Sequence, residues 1–150
     1  MLGIGLAEWV VANLAFTPGE RVLMVESDVD MMFRGGIVDF PMGPSEISTK
    51  IEGWTIKSGG VLILTNKRII YAVKGRKYLL LKTPKILFES PISTIYSVGV
   101  ARGHVSELVV SLETQIWRKD KFYFRVKDPN DWAKNIEELI SLHRNKRGGP

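Results

Sequence analysis

Residues 60–73, Gly-Val-Leu-Ile-Leu-Thr-Asn-Lys-Arg-Ile-Ile-Tyr-Ala-Val, set two apolar runs on either side of a short polar turn. Residues 61–64 and 69–73 are rich in Val and Ile and too short to be separate helices, so they read as adjacent strands. Thr65, Asn66 and Lys67 supply the turn, Asn being tolerant of the left-handed backbone that tight hairpin loops require. A chain built around such a hairpin is a β protein. Strand patterning continues on both sides of it. Residues 21–26 alternate loosely, Ser27 to Asp30 read as a turn, residues 31–33 and 37–40 flank Gly35-Gly36, and residues 51–57 resume as strand after a loop holding Pro41 and Pro44. Downstream, residues 78–81, 86–88, 92–100, 108–112 and 117–126 complete the series, the last alternating Phe122, Phe124 and Val126 with Lys121, Tyr123, Arg125 and Lys127.

The closing element is a helix. Asp128 is a good N-cap, Pro129 suits the first helical position, and Asp131 puts negative charge in the first turn, where the helix dipole favours it. Trp132, Ile136, Leu139, Ile140 and His143 then form an apolar stripe at helical spacing, and Gly148-Gly149 ends it.

The run from Gly60 to Tyr71 resembles the signature hairpin of bacterial pleckstrin-homology-like and GRAM domains, a Gly-x-Leu-x-Leu-Thr-x-x-Arg-hydrophobic pattern. The order of strands followed by one amphipathic helix extends that resemblance over roughly residues 19–143. It implies a mainly β (α+β) fold, a seven-stranded bent sandwich or barrel capped by the C-terminal helix, serving as a binding scaffold without catalysis of its own. The division that follows is an N-terminal apolar helix over residues 1–17, a PH-like domain over 18–145 and a basic, Gly-containing tail over 146–150.

That extra N-terminal helix is the unusual part. From Leu2 to Phe16 the only polar side chains are Glu8 and Asn13, and the Thr17-Pro18-Gly19 turn ends it. At about 13 residues it falls short of the roughly 20 that cross a bilayer, and it lacks the charged flank of a signal peptide. Three uses remain open: packing on its own barrel, self-association into a homo-oligomer, or lying in a membrane interface, although its polar face has none of the Lys and Arg usual there.

Charge and chemistry narrow the function. Residues 1–56 carry 3 basic and 8 acidic side chains, and residues 57–150 carry 18 basic and 8 acidic, so the net +5 conceals a −5 part and a +10 part. A basic surface attracts phosphate-rich partners, anionic lipid or nucleic acid, the latter drawing also on Trp117, Tyr123 and Phe124. Lys67, Arg68, Lys74, Arg76 and Lys77 form a candidate anion patch if the hairpin turn and the next turn meet at one barrel end. Alternatively, Lys67 is solvated and Arg68 pairs with a carboxylate to pin its strand. Phosphoinositide-binding relatives place Lys and Arg after their first strand, whereas here Ser27, Asp28 and Asp30 stand there.

The absence of Cys removes thiolate catalysis and thiolate-rich zinc sites, and the two histidines, His104 and His143, belong to no metal or nucleophile motif. Asp28, Asp30 and Asp39 lack the Gly and distal Glu of a calcium loop and read as turn residues. No cofactor or metal is expected, and no catalytic residue is assigned. The expectation is therefore a non-catalytic, cytoplasmic module, with peripheral membrane contact open, that recognises a protein segment, itself or an anionic surface. A nucleic-acid-binding protein and an enzyme subunit are the alternatives.

Overall fold

A computed structural model of the chain describes residues 5–34, 54–74, 84–103, 105–115 and 118–148. In chain order the elements are α1 (Leu6–Asn13), β1 (Val22–Arg34), β2 (Trp54–Thr65), β3 (Arg68–Lys74), β4 (Pro84–Pro91), a one-turn 3-10 helix (Ile92–Thr94), β5 (Ile95–Ala101), β6 (Glu107–Gln115), β7 (Arg118–Arg125) and α2 (Pro129–Gly148). The protein is mainly β, as the sequence implies. Seven antiparallel strands run in the order β4-β3-β2-β1-β7-β6-β5. The two edge strands, β4 and β5, are consecutive in the chain and joined only by the 3-10 turn, so the sheet folds over on itself as a bent sandwich.

The bend comes from bulges. Ser27 to Asp30, expected to be a turn, instead lies inside a thirteen-residue β1, and residues 51–57 and 61–64, expected to be separate strands, share the single strand β2 from Trp54 onward. Register slips between Glu26 and Val29 and again between Val29 and Met31, where Asp28 takes φ 57° and Gly59 on the facing strand takes φ 72°. These left-handed residues bend two paired strands together without breaking either. β1 can then pair with β2 along its length and with β7 from Asp30 to Arg34. Gly60 completes the corner: a Cβ there would lie 2.4 Å from the Tyr71 ring, so only glycine lets that ring close over the strand. The Tyr71 hydroxyl donates to the Val29 carbonyl at 2.7 Å and accepts from Gly60 N–H at 3.1 Å, which satisfies both strands at the bulge.

Inside the fold lies the main core. Alternate residues of the strands, including Val29, Met31, Leu62, Leu64, Ile69, Tyr71, Leu108, Val110, Phe122 and Phe124, meet Trp132, Ala133, Ile136, Leu139 and Ile140 of α2. The predicted stripe of α2 is thus its buried face. Asp128 caps the helix, its carboxylate accepting from Asp131 N–H at 3.1 Å. Glu26 secures the start of α2 from β1, accepting from Lys127 N–H at 2.7 Å and from the Trp132 indole at 3.0 Å.

The apolar runs of the hairpin are continuous because both faces of it are covered. Val61, Ile63, Ile70 and Ala72 point away from the main core and form a second cluster with Val10 of α1. Leu6, Trp9, Val11, Leu14 and Phe16 pack around that cluster. Of the three uses open to the N-terminal helix, packing on its own barrel is the one the structure displays, against the outer face of β2 and β3. The expected strands at residues 37–40 and 78–81 lie outside the described residues. The expected strand at residues 92–100 begins with the 3-10 turn and becomes β5 only at Ile95.

Candidate functional site

The hairpin turn that marks this sequence is a clasp on the segment leading from α1 to β1. Asn66 Nδ2 donates to the Gly19 carbonyl at 3.1 Å, Lys67 Nζ to the Pro18 carbonyl at 3.0 Å, and an Arg68 amino group to the Ala15 carbonyl at 2.7 Å. Three consecutive side chains therefore hold three carbonyls of residues 15–19, a stretch without a ladder of its own. Asn66 also exchanges bonds with the backbone of Arg21, through its N–H at 3.1 Å and its side-chain oxygen at 2.6 Å.

Glu20 is the centre of the clasp. Its carboxylate receives Arg68 Nε at 2.8 Å, the Thr65 hydroxyl at 2.7 Å and Thr17 N–H at 3.0 Å, and the side chain is 1% exposed. Burial alone would raise its pKa, but the hydrogen bonds from Arg68, Thr17 and Thr65 outweigh it and hold the carboxyl at about 2, well below the ordinary 4.5. The Arg68 guanidinium is held above its usual value by the Glu20 hydrogen bond, against the effect of burial, with Glu89 at 2.6 Å adding to the hold. The Phe16 ring lies 5.8 Å from the same guanidinium. Arg68 is thus engaged on several sides by groups of its own chain, with its side chain still 17% exposed. This is the pinning role that the sequence left open as the alternative to anion binding.

The five cations of the expected patch are placed as follows. Lys67 and Arg68 belong to the clasp, and Lys74 stands exposed at the far end of β3. Arg68 and Lys74 stand six residue steps apart on β3, about 20 Å along the strand. Arg76 and Lys77 lie outside the described residues. Of the aromatics considered for nucleic acid, Phe124 is fully buried in the main core and Trp117 lies outside the described residues. Arg125 on the same strand is paired with Glu107 at 2.9 Å. His143 Nε2 lies 3.4 Å from the Asn66 carbonyl, which ties the end of α2 to the hairpin, and His104 is outside the described residues. Asp28 and Asp30, read as turn residues, lie within β1, where Asp30 accepts from Gly59 N–H of β2 at 3.2 Å, while Asp39 is outside the described residues. No cluster of three His, Cys, Asp or Glu side chains able to hold a metal occurs among the described residues.

Glu20 is the residue the sequence reading missed. Its signal was the Thr-x-x-Glu spacing from Thr17, the pattern in which a glutamate reaches back to the backbone N–H three residues earlier. With Pro18 and Gly19 between them, the four residues read only as a turn.

A second feature lies where β5 meets α2. Among the described residues β5 pairs with β6 alone, leaving its other edge unladdered. Alongside it runs α2, and at the start of the strand a groove of about 320 Å³ is lined by Ser93, Thr94, Ile95, Tyr96 and Arg144. A smaller recess of about 70 Å³ adjoins it, reaching Ile92, Ile140 and His143. Val98 and Val100 are half-buried against the main core farther along the strand. The opposite edge strand differs, since β4 begins at Pro84 and ends at Pro91, residues that offer no N–H to an added strand. No helix among the described residues is long and apolar enough to cross a membrane.

The chain matches no protein-family model and no curated protein, so the pleckstrin-homology-like resemblance rests on its own hairpin residues, Gly60 to Tyr71.

Proposed function

We propose that this chain is a non-catalytic binding module of pleckstrin-homology-like fold that takes an extended protein segment along the edge of β5 beside α2. The observation that carries the reading is the contrast between the two sheet edges. β4 is bounded by prolines, whereas β5 carries none, is partnered on one side only among the described residues, and runs next to a helix with a groove between them. Strand addition supplies affinity through main-chain hydrogen bonds, and adjoining pockets supply selectivity for alternate side chains. The titratable groups with clearly shifted values support a structural scaffold. Glu20 and Arg68 neutralise each other in the clasp, and Tyr71 is pushed up to about 12 by burial while its hydroxyl bridges the bulge.

Selection of random peptides on the isotope-labelled chain tests this. Enriched peptides are expected to shift the amide resonances of β5 and the facing residues Ile140 and Arg144, and Gly99→Pro is expected to weaken them at least tenfold, because proline fits poorly in a strand that must ladder on both sides. Arg144→Glu, on the exposed side of the groove, gives a second reading that leaves the strand intact. Peptides that shift only residues elsewhere, or none enriched at all, would refute the assignment.

A further inference from the structure

The outer face of the signature hairpin is built as a seat for a helix. Val61, Ile63, Ile70 and Ala72 are each fully buried there, yet they form a cluster separate from the main core, and α1 is the element that covers them. The occupant is weakly self-sufficient. α1 has eight residues, well below the length at which an isolated helix persists in water, and only Val10 of it is fully buried. It stays helical because it is seated.

The connection to β1 is a hinge with a clasp. Residues 14–21 belong to no strand or helix, Gly19 takes φ 82°, and three carbonyls of the segment are held by the side chains of Asn66, Lys67 and Arg68. Such side-chain bonds can release without undoing the sheet. If the hinge swings out, the α1 of another copy fits the same seat through the same contacts, and exchange of identical elements is a low-cost route to a dimer.

One more observation favours a second copy as the occupant. A groove of about 610 Å³ remains open between the free flank of α1 and β1, lined by Leu6, Ala7, Val11, Ala12 and Val25 among others. Val25 of that lining is itself exposed, as are Val22 and Leu23 earlier on β1, so among the described residues apolar surface beside α1 is left uncovered. We propose that the outer face of β2 and β3 is a docking site whose α1 is exchanged between two copies, giving a swapped dimer, with the Arg68–Glu20 clasp controlling the opening. This holds whether or not β5 takes a partner segment.

The test mixes two differently tagged full-length copies and follows the mixed dimer by capture and light scattering. Mixed dimer is expected to form slowly between wild-type copies, and at least tenfold faster when both carry Arg68→Ala. An excess of a peptide spanning residues 5–16 should suppress it by filling the vacated seat. Because the chain has no Cys, a Val10→Cys copy mixed with an Ile70→Cys copy should also yield an oxidised cross-link between copies. Monomers throughout, in wild type and in Arg68→Ala alike, would overturn the proposal. So would a dimer that forms at the same rate in both and ignores the peptide, since it would use another surface.

Discussion

The two faces of the β2–β3 hairpin are equally apolar and equally dry, yet they are covered in different ways. On the inner face, Leu62, Leu64, Ile69 and Tyr71 join a core fed by all seven strands and by the long helix α2. On the outer face, Val61, Ile63, Ile70 and Ala72 meet one helix of eight residues whose linker is held by side chains. Burial measures how dry a residue is, and the number of elements that must move to wet it measures how firmly it is held. The inner face opens only with the fold. The outer face opens when a single clasp lets go.

The largest expected effect is on the inner face. Ile136→Ala removes a fully buried side chain from the centre of α2 and should cost about 2–5 kcal/mol, read as a lower urea midpoint of the whole domain. If only amides of α1 lost protection, the division into an inner and an outer core would fail.

Acid should act on the outer face first. Glu20 has a folded pKa of about 2 and an ordinary value of 4.5, so its ionised form is favoured by folding. Its contribution is fully present above about pH 5 and is lost as pH falls toward 2, amounting to about 3 kcal/mol at most. Hydrogen exchange across that window should show α1 and residues 14–21 loosening before α2, and Glu20→Gln should flatten the dependence. Base gives the complementary reading on the inner face. The Tyr71 phenol, raised to about 12 by burial, contributes stability fully present below pH 10 and lost as pH rises from 10 toward 12, a loss absent from Tyr71→Phe.

The smallest effect sharpens the comparison most. Val10→Ala should cost about 1–2 kcal/mol, and the loss should appear as exchange of α1 amides with little change in the global unfolding midpoint. An equal fall in both would mean that the outer face unfolds with the inner one.

Much of the fold was legible because its signals are local. The Val- and Ile-rich runs around Asn66 mark a hairpin, and Asp128, Pro129 and the Trp132 to Ile140 stripe mark a capped, one-faced helix. The bulges at Asp28 and Gly59 were not legible as such, because a left-handed residue serves a turn or a bulge equally well until the partner strand is known. The site was less legible still. Lys67 and Arg68 stand out as cations in a turn, and nothing local says that Glu20, 48 residues from Arg68, will claim the guanidinium.

Taken alone, the chain determined a β protein with a signature hairpin, a closing helix and an apolar leader, since propensity, periodicity and capping act over a few residues. Tertiary structure decided how those parts are arranged: that the leader covers the hairpin's outer face, that the turn's cations grip it, and that β5, among the described residues, is laddered on one edge only beside α2. Those outcomes depend on which surfaces meet across tens of residues, where burial and ion pairing act on contacts that no local pattern encodes.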